Sequence, residues 1–283
     1  IRIPIISSLY FGIFSWMGHS PQFDADGFSN FIEISKLPIA LLSLSIPFVA
    51  IVANIHRTIQ TENQIRKTQQ QIDLVTEKNR NDAYYAHLKN YSDMFKTLPS
   101  FTLSRRDNTT FEKDTIKLSV DHTYSLYKKI FTKSSISTGY NNEVDKSFLE
   151  KLENIYNSIG HEIARYNQLY PKQVNISNLE NIEAQVVWLC RELGVNYERE
   201  VNKFEIFDPI SNLGIETSFS DEKEIKEMLR GLRDILISLY MLIDQNTIIF
   251  QATANNGDFL ANYAYDPDFL IFKGILPIDS QGK

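Results

Sequence analysis

The chain has 283 residues, a formal net charge of −6 and one cysteine. That length accommodates a membrane-anchoring end followed by one ordinary globular domain. The acidic balance excludes broad contact with nucleic-acid phosphates, which depends on Lys and Arg, and a lone thiol excludes an intrachain disulfide.

In chain order, the first apolar stretch is Ile3 to Met17, which is uncharged and rich in aromatic residues. Tyr10, Phe11, Phe14 and Trp16 crowd its end, where a signal peptide would carry small residues for cleavage. Residues 1–17 are therefore expected to be a first transmembrane helix. The chain starts at Ile1 rather than Met, so whether residues precede this helix stays open.

Residues 18–36 form a connector that sets Asp24, Asp26 and Glu33 against Lys36. Phe23, Phe28, Phe31 and Ile32 are expected to anchor it at the membrane interface.

Leu37 to Ile55, LPIALLSLSIPFVAIVANI, contains no charge and is bracketed by Lys36 and by His56-Arg57. At about 1.5 Å per residue it spans roughly the 30 Å hydrocarbon core of a bilayer. Pro38 and Pro47 suit a membrane helix better than a buried soluble one, because neighbouring helices and hydroxyls satisfy the freed backbone groups. Residues 37–55 are expected to be the second transmembrane helix. The Lys/Arg bias across it (Arg57, Arg66 and Lys67 follow the span) places everything after His56 in the cytoplasm.

This span has two faces. Ala40, Ser43, Pro47, Ala50 and Asn54 recur at helical steps and make a small or polar stripe; Leu41, Leu44, Phe48, Ile51 and Ile55 make a large apolar one. The small-polar stripe either packs the two spans together or lines a wet interior, and both keep it away from lipid.

Residues 56–91 read as a glutamine-rich stalk helix without Gly or Pro. Ile65, Ile72 and Asn79 share one heptad position, with Thr68, Val75 and Asp82 at the other, so Ile65, Ile72 and Val75 are the candidates for self-association.

Residues 92–283 read as a cytoplasmic helical domain with at most a few short strands. Amphipathic helices are expected over Phe111 to Phe131, Val144 to Tyr170 (closed by Pro171), Leu179 to Leu193 (ended by Gly194), and from Asp221 through Ile243. Breakers stand at Leu98-Pro99, Gly139, Asp208-Pro209 and Asn255-Asn256-Gly257, and Phe204 to Phe207 and Thr247 to Gln251 are β-prone. Removing −1 for residues 1–36 and +2 for residues 56–80 from the whole-chain −6 leaves −7 for residues 81–283. Basic pairs such as Arg105-Arg106 and Lys128-Lys129 read as solvated surface. The overall class is mainly α.

Chemistry finds little footing. There is no phosphate-binding glycine loop. His161-Glu162 opens like a zinc-protease helix, but Arg165 stands where the second ligand belongs. The five histidines (His19, His56, His87, His122, His161) show no ligand spacing. Asp121-His122 lacks an evident nucleophile, and Cys190 on an apolar helix reads as a small buried hydrophobe. Neither a cofactor nor catalysis is expected.

From Phe28 to Tyr91 the chain resembles bacterial proteins with two membrane helices and a glutamine-rich linker, among them effector membrane proteins of retron anti-phage systems that guard RecBCD. The matching residues are Ile34, Lys36, Pro38 and Ile39 leading into the span, then His56-Arg57 with Gln60 and Gln64, then Tyr84-Tyr85-x-His87. They belong to an anchor, and they cover about a quarter of the chain.

The resemblance implies a toxin-like effector of abortive infection in the bacterial inner membrane. A reverse transcriptase with its msDNA and ncRNA would hold it inactive, mainly through protein contacts. Interference with RecBCD, an indirect partner, would release it to damage the membrane. A membrane-anchored scaffold or signalling adaptor without toxicity, and an enzyme whose site forms from distant residues, stay open.

Overall fold

In the computed structural model, residues 2–106, 113–168, 176–197, 203–208, 213–247, 250, 259–272 and 276 are described. They fall into two compact units, Ile1–Lys78 and Asn79–Lys283.

The first unit opens with helix α1, Arg2–Trp16. At about 1.5 Å per residue it falls short of a roughly 30 Å hydrocarbon core. Helix α2, Ala25–Ile34, occupies most of the stretch expected to be a plain connector. Its local signals are plain in retrospect: Asp24 caps it by accepting the Gly27 N–H at 2.7 Å.

Helix α3 then runs without a break over Lys36–Phe95. The span and the stalk that extends it thus form one helix, which ends at Phe95 rather than Tyr91. Polar Gln, Lys, Arg and Glu beyond Ile55 are as good helix formers as the apolar residues before it, and neither Gly nor Pro interrupts them. Among the described residues, α3 is the one helix long and apolar enough to cross a membrane, whereas two such helices were expected.

The second unit begins with the end of α3. A hairpin follows, β1 Phe101–Arg106 with β2 Lys113–Leu118, paired antiparallel from Phe101↔Leu118 to Arg106↔Lys113. Then come α4 Thr123–Ile130, α5 Lys146–Gln168 and α6 Ile176–Leu193. A second antiparallel hairpin pairs β3 Phe204–Asp208 with β4 Leu213–Thr217, and α7 Glu222–Leu242 and α8 Phe259–Tyr265 complete the unit. The unit is mainly helical.

The helix expected over Phe111 to Phe131 is replaced by β2, a bridge from Val120 to Val195, and the short α4. Phe111 itself lies outside the described residues. Ile116, Leu118 and Val120 turn inward at steps of two, between exposed Thr115 and Lys117, and this strand period outcompetes the helical reading of Ile116, Val120 and Tyr124. The β-prone Phe204 to Phe207 does form a strand. Of Thr247 to Gln251, residues 248, 249 and 251 lie outside the described residues, as do Tyr170, Pro171, Pro209 and Asn255-Asn256-Gly257.

α5 packs along α6, and α7 packs against β1 and α8. Leu152, Ile159 and Ile163 of α5, Leu179, Ile182 and Val186 of α6, and Ile225, Leu232 and Leu236 of α7 meet in one core. Gly231 lets α7 approach β1 closely, because a Cβ there would sit 2.1 Å from Cγ of Phe101. Gly194 ends α6 at φ +71°, the left-handed conformation that suits glycine after a helix.

Candidate functional site

Within the first unit the candidate site is the apolar part of α3 and its faces. Ser8 of α1 donates its hydroxyl to the Pro38 carbonyl at 2.9 Å, and Trp16 donates its indole N–H to Ser35 Oγ at 2.8 Å. The bond to Pro38 marks the side of α3 that α1 touches. Pro38, Leu41, Ser45 and Val49 lie on that side and are less than fully exposed.

At about 100° per residue, the stripe of Ala40, Ser43, Pro47, Ala50 and Asn54 lies roughly half a turn away. All five of its residues are exposed. Packing of the two N-terminal helices through this stripe, one of the two readings of the sequence, is thus not the arrangement within one chain. Pro47 removes the N–H that would reach the Ser43 carbonyl, and the Ser43 hydroxyl donates to the Ala40 carbonyl at 2.8 Å. The stripe presents small side chains and backbone dipoles to whatever lies beside it.

A cleft of about 720 Å³ lies where α1 turns into α2, lined among others by Trp16, His19, Phe23, Phe28 and Phe31. Trp16 stacks on Phe31 with centroids 6.0 Å apart, and Phe23 is fully exposed. Of these rings Trp16, with an apolar body and an indole N–H, is of the type that favours the headgroup level of a bilayer.

Further along α3, every residue from Ile51 to Arg80 is exposed. That run includes the stalk candidates Ile65, Ile72 and Val75, at 64%, 51% and 54% exposure. A helix with so little intramolecular cover gains little from tertiary packing, which ordinarily supplies most helical stability.

In the second unit, the end of α3 is fastened by aromatic rings. His87 Nδ1 lies 2.8 Å from Tyr127 Oη and Nε2 lies 2.9 Å from Asn142 Oδ1. Because Asn142 Oδ1 only accepts, Nε2 carries the proton and Nδ1 of the neutral ring accepts from Tyr127. The ring stacks on Tyr140 and meets Tyr91 and Phe131. Burial lowers the His87 pKa below the usual histidine value, against the opposing effect of the Asn142 bond.

Lys128 donates to Tyr84 Oη at 2.5 Å, and Lys129 donates to the Arg191 and Glu192 carbonyls at the end of α6. These lysines are structural fasteners rather than solvated surface.

A buried polar chain went unseen in the sequence. Arg105 Nε donates to Glu224 Oε1 at 2.7 Å, with side-chain exposures of 2% and 0%. Arg105 thus corrects its reading as surface, since its guanidinium is desolvated only because a carboxylate 119 positions later meets it. Glu224 also accepts the Ser220 N–H and hydroxyl, at 2.7 and 2.9 Å. Tyr197 Oη lies 3.4 Å from Arg105 Nη2 and 2.6 Å from Ser218 Oγ. Glu183 accepts from Thr217 Oγ1 and from the Ser218 N–H and hydroxyl. Burial raises the Glu224 carboxyl above its ordinary value against the pull of Arg105, and burial pushes the Tyr197 phenol up to about 12. The polar groups of this chain hydrogen-bond one another, as a lock between β1, α6, β4 and α7 requires.

The residues screened for catalysis are not brought together. The Asp121 carboxylate accepts from Ser119 Oγ at 2.7 Å, and Glu162 pairs with Arg165 at 3.5 Å. Cys190 is buried, and its thiol is pushed up to about 12 by that burial. Among the described residues, no group of His, Cys, Asp and Glu is arranged to hold a metal ion. Compared with family models, with curated proteins and with solved structures, the chain finds no match.

Proposed function

We propose that this chain is the membrane effector of a retron anti-phage defence system. A reverse transcriptase with its DNA–RNA product holds it inactive, and on release it disrupts the bacterial inner membrane and kills the infected cell. In this reading α1 and the start of α3 are both embedded, the α2 segment faces away from the cytoplasm, and residues after His56 are cytoplasmic. Contact with the reverse transcriptase is mainly through protein, in keeping with the acidic second unit.

One observation carries the membrane action: an uncharged segment, Leu37 to Ile55, exposes Ala40, Ser43, Pro47, Ala50 and Asn54 on the side away from α1. The retron assignment rests on the resemblance of residues 28–91. Expression in a bacterium with a membrane-potential dye tests the proposal. The chain alone depolarises cells, and co-expression with the reverse transcriptase and its nucleic acid preserves the potential. Polarised cells in both cases, with the chain present in the membrane fraction, overturn it.

The exposed run from Ile51 to Arg80 also favours a second reading, an adaptor that only docks partners. That reading requires the reverse transcriptase to co-purify while the potential stays intact.

A further inference from the structure

The uncovered part of α3 carries a more specific pattern than a polar stalk. Thr58, Thr61, Ile65, Thr68, Ile72 and Val75 follow one another at alternating steps of three and four, and all six are β-branched. All six are exposed in a single copy. The seam does not stop at the membrane: Ala40, Pro47 and Asn54 precede Thr61, Thr68 and Val75 at a constant step of seven. Sustained seven-residue spacing along one helix is the geometry of a left-handed supercoil.

Charge flanks this seam in a complementary way. Arg57 lies immediately before the seam residue Thr58, and Glu62 immediately after Thr61. In a parallel, in-register coil these are the two flanking positions that face each other across the interface, five residues apart on neighbouring copies. Arg57 of one copy thereby meets Glu62 of the next, and closed symmetry repeats the pair at every interface. The next flanking pairs, Gln64 with Gln69 and Gln71 with Thr76, are neutral and offer no repulsion.

We propose that this seam is the docking surface for further copies of the same chain, which assemble as a parallel, in-register coiled coil of more than two strands. β-Branched residues at both core positions disfavour the two-stranded form, which prefers leucine at the second. The coil extends toward the bilayer so that Ala40, Pro47 and Asn54 turn to the bundle axis. The inference deepens the membrane-effector reading, since it takes all copies to enter the bilayer in one orientation.

Disulfide cross-linking of the full chain in native membranes tests it, in a Cys190→Ala background. Thr68→Cys on the seam cross-links readily, whereas Gln70→Cys on the outer face does not. Glu62→Arg sets like charges against Arg57 and removes most of the Thr68→Cys product; adding Arg57→Glu restores it. Amine cross-linking gives a ladder beyond the dimer.

Equal cross-linking at both positions, no product at Thr68→Cys, failure of the charge swap to restore it, or a ladder ending at the dimer overturns the proposal. If Thr68→Cys captures only the reverse transcriptase, the seam belongs to that partner and the self-docking proposal falls. These outcomes are independent of depolarisation: cells that depolarise without seam cross-links refute the coil alone, and seam cross-links in polarised cells refute the effector reading alone.

Discussion

Pro38 and Pro47 stand on opposite sides of one helix. Pro38 is buried and its carbonyl accepts the Ser8 hydroxyl at 2.9 Å, whereas Pro47 is exposed on the stripe with Ser43 and Ala50. The side that α1 holds is thereby separated from a side left uncovered. Ser43→Leu and Ala50→Leu put bulk where close approach is needed and abolish depolarisation, while Leu42→Val, off the stripe and off the seam, leaves it intact. Membrane-potential measurements at matched membrane levels of each variant check this. His122→Ala and His161→Ala are expected to keep full activity.

Topology follows from the same segment. A membrane-impermeant thiol probe is expected to label a Cys placed at Ser20 in intact cells, and to label one placed at Ser137 only after lysis. Both positions are exposed, so the bilayer alone decides access. The opposite pattern reverses the orientation drawn from Arg57, Arg66 and Lys67.

Arg105→Met leaves the Glu224 carboxylate buried without its cation. Removing one partner of a buried pair costs about 3–5 kcal/mol. For a unit of this size that lowers the melting temperature by about 10 °C. Thermal unfolding of the detergent-solubilised chain, followed by circular dichroism, checks it, with Lys133→Met of the exposed Lys133–Glu143 pair as a control expected to shift by less than about 2 °C.

The His87 junction is expected to weaken in acid. Its folded pKa lies below the unfolded value, so its stabilising contribution is complete above the ordinary histidine pKa and is lost as pH falls through the lowered one. Protonation also forces Nδ1 to donate where it now accepts from Tyr127. After correction for the intrinsic exchange rate, which itself falls in acid, protection of the α4 peptide is expected to drop on going from pH 7 to pH 5, and His87→Gln to remove that dependence.

How much of this was visible in the sequence depends on how local each cause is. α5 and α7 were legible because Phe148, Leu152, Ile155 and Ile159, and Leu229, Leu232, Leu236 and Leu239, repeat at helical spacing, and Asp221 caps α7 by accepting the Glu224 N–H at 2.8 Å. The first hairpin was not legible. Its pairing and the burial of Arg105 are decided by α7, far along the chain, and nothing near Arg105 announces Glu224. The small-polar stripe of α3 was visible, but the side taken by α1 was not, since Pro38, Leu41, Ser45 and Val49 make an equally regular face. The continuity of span and stalk was legible too, since no Gly or Pro breaks the backbone beyond His56 and the stalk reads as an extension of the span.

Gly231→Ala tests the close approach of α7 to β1. A methyl group directed into the Phe101 ring is expected to cost about 1–3 kcal/mol, and Phe101→Leu to recover part of it. Denaturant unfolding of the three variants gives the coupling directly.

The proposed effector role puts the action on the bilayer at the uncovered face of α3. Release of a self-quenched dye from vesicles of inner-membrane lipids reconstituted with the purified chain measures it most directly. The native chain is expected to release dye, and the Ser43→Leu, Ala50→Leu double variant inserted to the same density to retain it. Equal retention of dye with native chain, double variant and empty vesicles would contradict it.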